Sequence, residues 1–155
     1  MKVAKFLVAV IAIGSLFTFS NCGESKPAPE PVPDKQLRLL TQTWKVTNVT
    51  LGGSSQTGYQ NMTLTITGTK GGTTFNYAVN GRPALSPWKA SGTWKFGTDP
   101  VTQMIRDPDL ATDKLDMSYI VSDPAATLLI TFNFTGNGYT RTDEVKGNWE
   151  FTFGL

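Results

Sequence analysis

Apolar and polar residues alternate along most of the chain after Trp44, with a period of two residues. In "NMTLTITG", Met62, Leu64 and Ile66 fall on one face and threonines fall on the other. The same alternation recurs in "TTFNYAVNG", "KLDMSYIVS" and "TLLITFNFTG", and turn-forming stretches such as "NGRP" and "SDPAA" separate the runs. This period is typical of antiparallel strands with one buried face. It predicts eight strands, over residues 43–51, 61–68, 73–80, 88–97, 101–106, 114–122, 127–135 and 146–154.

One short amphipathic segment precedes the strands. The stretch "DKQLRLLTQ" predicts a helix that turns Leu37 and Leu40 toward the core. Many short strands after a single helix indicate an all-β fold, either a sandwich or an antiparallel up-and-down β-barrel. Residues 35–155 are enough for one such domain, with a core that needs no disulfide.

A Gly-x-Trp-x-Phe cassette occurs as "GTWKF" at 92–96 and "GNWEF" at 147–151, with a partial copy, "QTWKV", at 42–46. A spacing of two puts the glycine, the tryptophan and the phenylalanine on the same face of a strand. An inward glycine lets a sheet coil, or leaves room for a neighbouring ring. We therefore interpret the cassette as corner geometry in a curved sheet, although its tryptophans could instead line a ligand site. The residues given this structural role are Trp44, Gly92, Trp94, Gly147 and Trp149.

The first 21 residues have the features of an export signal. Lys2 and Lys5 precede the apolar run "FLVAVIAIGSLFTF", which is shorter than the ~20 residues of a spanning helix. An uncleaved anchor helix is the alternative. The stretch "FTFSNC" resembles the lipobox of bacterial lipoproteins, with Phe19 and Asn21 as departures from its usual residues. That resemblance implies cleavage before Cys22, the only cysteine, and lipid attachment to it. Because Gly23 rather than Asp follows, we expect the outer membrane.

The segment after Cys22, "GESKPAPEPVPD", carries four alternating prolines. Proline at this density favours an extended polyproline II chain of ~3.1 Å per residue. We predict that residues 22–34 form a tether of roughly 40 Å between a lipid anchor and the domain.

Most of the chain over residues 37–155 resembles the lipocalin-like domains of bacterial lipoproteins. The resemblance rests on a short helix, on "LRLLTQTWKV" opening the first strand, on about eight up-and-down strands and on a closing Trp strand. Gln42 stands where lipocalins have a glycine, and Arg141 is the candidate for the arginine that packs over the first-strand tryptophan. The resemblance implies a closed or nearly closed barrel that binds a small apolar ligand.

Composition narrows the chemistry. The net charge of +2 comes from Lys2 and Lys5, so the mature chain is neutral. It has no basic stripe, and we therefore predict no binding to nucleic acid. There is no histidine and no other cysteine, and we predict neither an enzyme nor a cofactor. Asp107, Asp109 and Asp113 in "RDPDLATDKLD" are weak candidates for Ca²⁺, although the EF-hand pattern fails there. Asp116 and Glu150 face outward by parity, which disfavours a carboxylate pair across a cleft.

Two functions stay open. The first is a barrel that binds a small apolar ligand near Tyr77, Trp88, Tyr119 and Arg82. The second is a tethered structural or interaction module that binds protein or glycan through its outer face or loops, where Tyr59, Arg82, Trp88 and Tyr139 are candidates. A membrane-spanning barrel is a third architecture, which short strands disfavour. We expect a monomer.

The residues that the two-residue alternation places inside the barrel include twelve aromatic rings. An eight-stranded barrel is only wide enough to hold its own side chains or one small ligand. We therefore predict a lumen packed by these rings, with Trp44 and Trp149 among the most buried residues and any pocket small and at one end.

Overall fold

The computed structural model describes residues 28–136 and 145–155. Its helix, α1, spans Val32–Leu40 and carries a proline in its first turn, Asp34 near its start and Arg38 near its end. Proline in the first turn loses no helical hydrogen bond, which is why the helix begins inside the proline-rich segment, two residues before the predicted start. The predictions for Cys22, for residues 1–21, for Tyr139 and for Arg141 lie outside the described residues.

Nine antiparallel strands follow in chain order. They are β1 (Thr43–Leu51), β2 (Ser54–Ser55), β3 (Thr63–Thr67), β4 (Phe75–Asn80), β5 (Ser91–Phe96), β6 (Gln103–Arg106), β7 (Leu115–Val121), β8 (Thr127–Phe134) and β9 (Gly147–Gly154). Eight of them match the predicted strands, and β2 is a two-residue strand paired with the end of β1. The predicted positions were therefore right, and the observed strands are shorter by one to three residues at some ends.

The sheet closes on itself. Each strand from β3 to β8 pairs with the next strand in the chain, and β1 pairs with both β3 and β9. Lys45 lies opposite Gly154 and Leu51 opposite Trp149 across the closing pair. The predicted antiparallel up-and-down barrel of eight strands is confirmed, and the sandwich alternative is wrong.

The two ends of the barrel differ. At the helix end, α1 meets the short β3–β4, β5–β6 and β7–β8 connections: the Asp34 carboxylate accepts from the Gly71 amide at 3.1 Å, and Lys35 pairs with Asp123 at 2.8 Å. Leu37 and Leu40 are buried as predicted. At the loop end lie the longer connections, of which the structure describes residues 52–62, 81–90, 107–114, 135–136 and 145–146. The described chain therefore has one end closed by a helix and one end covered by loops.

The apolar face of the strands points into the barrel. In β7, Met117 and Tyr119 are buried whereas Asp116 and Ser118 are exposed. In β1 the alternation changes phase, because a bulge between Val46 and Asn48 shifts the register with β9. An extra residue in one strand of a pair adds local bend and twist. The bulge lets Trp44 and Val49, an odd number of residues apart, both lie in the core.

The cassettes show why glycine precedes tryptophan. Gly92 lies opposite Tyr77 on β4, and Gly147 lies opposite Phe134 on β8, so an aromatic ring faces each glycine across the strand pair. Gly147 also has φ +132°, a backbone conformation that side chains disfavour. Two of the three cassette tryptophans make the same type of hydrogen bond. The indoles of Trp44 and Trp149 each donate to the carbonyl four residues earlier, at 2.9 and 2.7 Å.

Candidate functional site

Aromatic side chains fill the inside of the barrel. Phe151 is completely buried, and its ring lies 5.5–5.9 Å from those of Trp149, Trp88 and Phe132. A cavity between these layers, lined by Tyr77, Trp88, Trp94 and Arg106 among others, measures about 10 Å³. That volume is about one water-sized sphere. The described part of the lumen is therefore packed, as predicted, and has no room for a lipid-sized molecule at this position.

The four residues proposed for ligand binding lie in three places. Tyr77 and Trp88 touch, with ring centroids 5.8 Å apart, in the interior toward the loop end. The hydroxyl of Tyr119 contacts Gln36 of α1 at 3.2 Å, which places it at the helix end. Arg82 lies half-buried in the loop 81–90. The structure therefore does not bring Tyr119 and Tyr77 into one pocket.

A buried cluster of charges lies beside Tyr77. Asp107 is 1 % exposed, directly follows β6 and has φ +48°. Its carboxylate accepts from the Tyr77 hydroxyl and the Thr93 amide, both at 3.1 Å. It also pairs with Lys89 at 3.4 Å and with Arg106 at 3.6 Å. A buried carboxylate is stable only when it is paired and hydrogen-bonded, and these four partners meet that condition.

Arg106 extends this cluster into the core. It is 1 % exposed, and its guanidinium donates to the Pro87 carbonyl at 2.7 Å and lies 5.4 Å from the centre of the Trp88 ring. The Pro87 and Trp88 contacts bind Arg106 to the loop 81–90, and Asp107 binds it to the turn after β6. The cluster therefore ties two loops of the loop end to the barrel.

The proposed Ca²⁺ loop is organised by a lysine. The ammonium group of Lys89 contacts the carboxylates of both Asp107 and Asp113. Asp109 is exposed and stands apart from that pair. In the ranges that the structure describes, no three acidic side chains come together as a possible ligand set. The carboxylates that suggested a cation site face the cation of Lys89 instead.

Two buried tyrosines have altered acidities. Burial raises the pKa of Tyr59 to about 12, and its hydroxyl donates to the Leu85 carbonyl at 3.1 Å. Burial, with a smaller contribution from the Asp99 charge, also raises the pKa of Tyr119 well above its usual range. Desolvation disfavours a phenolate, so both residues are held as neutral donors. They act as polar anchors for loops at opposite ends of the barrel.

A small apolar pocket opens at the loop end. It measures about 380 Å³, and Tyr59, Pro83, Leu85, Val145 and Trp149 form most of its wall. Leu85 is 38 % exposed, whereas Tyr59 and Trp149 are buried. We call this the mouth pocket. None of the four residues predicted for ligand binding lines it.

Strands β7 and β8 part toward the loop end. Their ladder runs from Val121↔Leu128 to Ser118↔Thr131 and stops there. β7 goes on pairing with β6 as far as Leu115, and β8 goes on pairing with β9 as far as Phe134. Residues 115–117 of β7 and 132–134 of β8, at the loop end, are therefore not paired with each other.

The hydrogen-bond pattern identifies the groups that face this opening. The Tyr119 amide donates to Thr102 before β6, and the Ser122 amide donates to Thr127 of β8. Because main-chain groups in a strand point alternately to its two neighbours, even-numbered residues of β7 face β8 and odd-numbered residues of β8 face β7. Continuing the register would place Asp116 opposite Asn133. Their amides and carbonyls therefore face the opening.

A cleft of about 640 Å³ lies over this opening on the outer surface. Its polar wall consists of outward-facing side chains, and inward-facing residues form its base. The wall includes Gln103, Asp116, Ser118, Thr131, Asn133 and Asn148, and the base includes Met104, Met117, Phe132 and Trp149. Except for Gln103, the side chains of this wall have no hydrogen bond or ion pair within residues 28–136 and 145–155. We call this site the β7–β8 cleft.

Comparisons with protein-family models, with curated proteins and with solved structures found no match to this chain. No helix in the described ranges is both long and apolar enough to cross a membrane. The resemblance to lipocalin-like lipoprotein domains stays a prediction.

Sequence reasoning missed two parts of the site. It read the acidic loop without Lys89 and Arg106. Arg106, next to Asp107 in the sequence, was a visible signal for ion pairing, whereas Lys89 comes from the preceding loop and gave no such signal. It placed Asp116 on the outer face but did not connect it with Asn133 and Asn148. Nothing in the alternation of β7 and β8 marks the residue at which their pairing stops.

Proposed function

We propose that the chain is an exported lipoprotein whose barrel is a filled scaffold and binds a polar ligand on its outer face, at the β7–β8 cleft. One contrast supports this proposal. The interior cavity beside Tyr77 and Trp88 measures about 10 Å³, whereas the outer cleft measures about 640 Å³. Ligand sites in proteins typically have volumes of roughly 300–1,000 Å³.

The unpaired polar groups of the cleft support the same function. Apart from Gln103, the polar side chains of its wall make no hydrogen bond with other described residues, and the main-chain groups of Asp116 and Asn133 face the same space. Groups of this kind exchange water for a ligand at little cost, because no internal bond has to break.

The test of binding is an NMR screen of the full chain in detergent with polar fragments: sugars, short peptides and amines. We expect at least one class to shift the amide signals of Ser118 and Asn133 and to leave Thr65, on the outer face of β3, unchanged. If ligands shift only residues of the mouth pocket, such as Leu85, the proposed site is wrong.

The proposed tether rests on Cys22 and on the proline-rich segment that follows it. Two or more acyl chains anchor a protein stably, because each buried CH₂ contributes ~0.8 kcal/mol. Cys22→Ser should move the protein from the membrane fraction to the soluble fraction. A serine variant that still sediments with membranes would refute lipid anchoring and leave the binding site untouched.

The mouth pocket supports a second candidate function, the binding of a small apolar ligand. Its wall of Pro83, Leu85, Val145 and Trp149 is apolar and its volume, about 380 Å³, suits a small molecule. Mass spectrometry of lipids that co-purify with the protein tests this candidate. A stoichiometric lipid that Leu85→Asp removes would favour it over the cleft.

A further inference from the structure

We propose that the ligand of the β7–β8 cleft is a neutral oligosaccharide, bound by its hydroxyl groups. This inference rests on the proposed function and names the ligand class for the same site. Three properties of the cleft support it: the chemistry of its side chains, its charge, and the short length of free strand edge.

The side chains of the cleft match the hydrogen-bonding character of sugar hydroxyls. Asn133 and Asn148 each offer a carbonyl oxygen and an NH₂ group, and Ser118 and Thr131 each offer a hydroxyl. These groups both donate and accept, as sugar hydroxyls do. Gln103 is more restricted, since its carbonyl oxygen already accepts from the Asp99 amide at 3.2 Å, and it therefore presents its NH₂ group.

The charge of the cleft disfavours acidic ligands. Asp116 is the ionised side chain among its lining residues. Lys95, opposite Ile105, and Glu150, opposite Thr131, flank the lining residues with opposite signs. A phosphate, sulfate or uronate would meet Asp116 with no cation in the described lining to offset it. A carboxylate among amides is instead a strong acceptor for neutral hydroxyl groups.

The free strand edge is too short for a peptide to add as a strand. Strand addition draws its affinity from a row of main-chain hydrogen bonds along an exposed edge. Where β7 and β8 part, each strand edge leaves the main-chain groups of one residue facing the opening: Asp116 on β7 and Asn133 on β8. These two can supplement side-chain contacts but cannot hold an extended peptide by themselves.

The base of the cleft gives a sugar an apolar surface. Met104, Met117, Phe132 and Trp149 lie beneath the polar wall, and all four are at least nine-tenths buried. Because these four side chains belong to the packed core, the base of the cleft is held in position. A sugar ring, with hydroxyls at its edge and C–H groups on its faces, matches a polar rim over such a base.

The test titrates the ¹⁵N-labelled full chain in detergent with maltohexaose, cellohexaose and chitohexaose, and separately with a heparin hexasaccharide and a trilysine peptide. We expect saturable shifts at Ser118 and Asn133 with at least one neutral hexasaccharide. Asn133→Ala and Asn148→Ala should each weaken that binding at least fivefold. Asn76→Ala, at an exposed outward position of β4, should leave it unchanged.

A charge-matched pair separates a role for Asp116 from a general effect of net charge. Asp116→Asn should weaken binding of the neutral sugar, and Glu150→Gln, at an exposed position of β9, should not. All five variants change exposed side chains, and an unchanged thermal melt checks that each is folded.

Each outcome decides a different point. Stronger binding of heparin or of trilysine than of every neutral sugar, at the same residues, would overturn the sugar assignment and leave the proposed cleft function standing. No response at the cleft to any of these probes or to the fragment screen would overturn both. Neutral-sugar binding that Asn133→Ala, Asn148→Ala and Asp116→Asn all leave unchanged would refute the assignment of these residues.

Discussion

Replacing Gly92 by alanine should disrupt the buried charge cluster at the loop end. A Cβ atom added at Gly92 would lie 2.1 Å from Oδ1 of Asp107 and 2.7 Å from the hydroxyl oxygen of Tyr77. Ordinary contacts of a Cβ atom begin near 3.4 Å, so the carboxylate would have to move by about 1.3 Å. The glycine of the first cassette is therefore required by the carboxylate that packs against it.

The expected loss of stability follows from the partners that hold this carboxylate. Asp107 cannot move by that distance and keep its bonds to the Thr93 amide and the Tyr77 hydroxyl at 3.1 Å. Overpacking a core usually costs about 1–3 kcal/mol. Loss of the ion pair to Arg106, which keeps its hydrogen bond to Pro87, costs at most about 3–5 kcal/mol more. The combined loss, at most about 4–8 kcal/mol, is comparable to the roughly 5–15 kcal/mol by which whole domains are stable.

The assay is urea unfolding followed by far-UV circular dichroism, with Gly154→Ala as the matched control. Gly154 also lies in a strand, and a Cβ there would meet its nearest atom, Cγ2 of Thr47, at 3.4 Å. We expect Gly92→Ala to be largely unfolded or destabilised by several kcal/mol, and Gly154→Ala to lose less than about 1 kcal/mol. Equal and small losses in both variants would refute the argument that Gly92 makes room for Asp107.

Three further predictions concern the core, the acidic loop and pH. Trp149→Ala should cost about 3–5 kcal/mol in urea unfolding, whereas Ile120→Ala, at a side chain 66 % exposed, should cost less than about 0.5 kcal/mol; similar values would contradict the packed lumen. Adding EDTA should not change the melting temperature, because Lys89 and Arg106 already pair with Asp107 and Asp113; a drop of many degrees would restore the Ca²⁺ hypothesis. Burial raises the pKa of Tyr59 from 10.0 to about 12, so the folded state holds this proton more tightly than the unfolded state. The stabilisation that neutral Tyr59 provides is complete below pH 10, and about 3 kcal/mol of it should be lost between pH 10 and 12. Between pH 8 and pH 11, the free energy of unfolding of Tyr59→Phe should fall less than that of the unchanged protein. An equal fall in both proteins would refute the assignment of this pH dependence to Tyr59.

The strands and their inward faces could be predicted from the sequence because both follow from local patterns. A period of two identifies a strand with one buried face, and turn residues mark its ends. Closure could also be anticipated, since an inward glycine opposite a ring marks a coiled sheet, as at Gly92 and Gly147. The bulge at Val46–Asn48 could not, because it depends on how β1 meets β9, about a hundred residues away in the chain.

The charge cluster was missed for a related reason. The sequence places Asp107, Asp109 and Asp113 close together, which suggested a cation site. What decides their chemistry is Lys89, which comes from the preceding β4–β5 loop and reaches two of the three carboxylates. Local spacing indicates which groups are available, and the fold decides which of them meet.

The β7–β8 cleft shows where such reasoning stops. At the level where β7 and β8 part, the inward side chains are large: Met117 on β7, Phe132 on β8 and Trp149 on β9. Phe132 packs against Trp88 at 5.8 Å and stacks on Phe151 at 5.8 Å, so the end of β8 is held toward β9 and the centre of the barrel. Met117 pairs toward β6 instead. The same core that leaves only about 10 Å³ inside the barrel therefore lies directly beneath the opening at which we propose that a polar ligand binds.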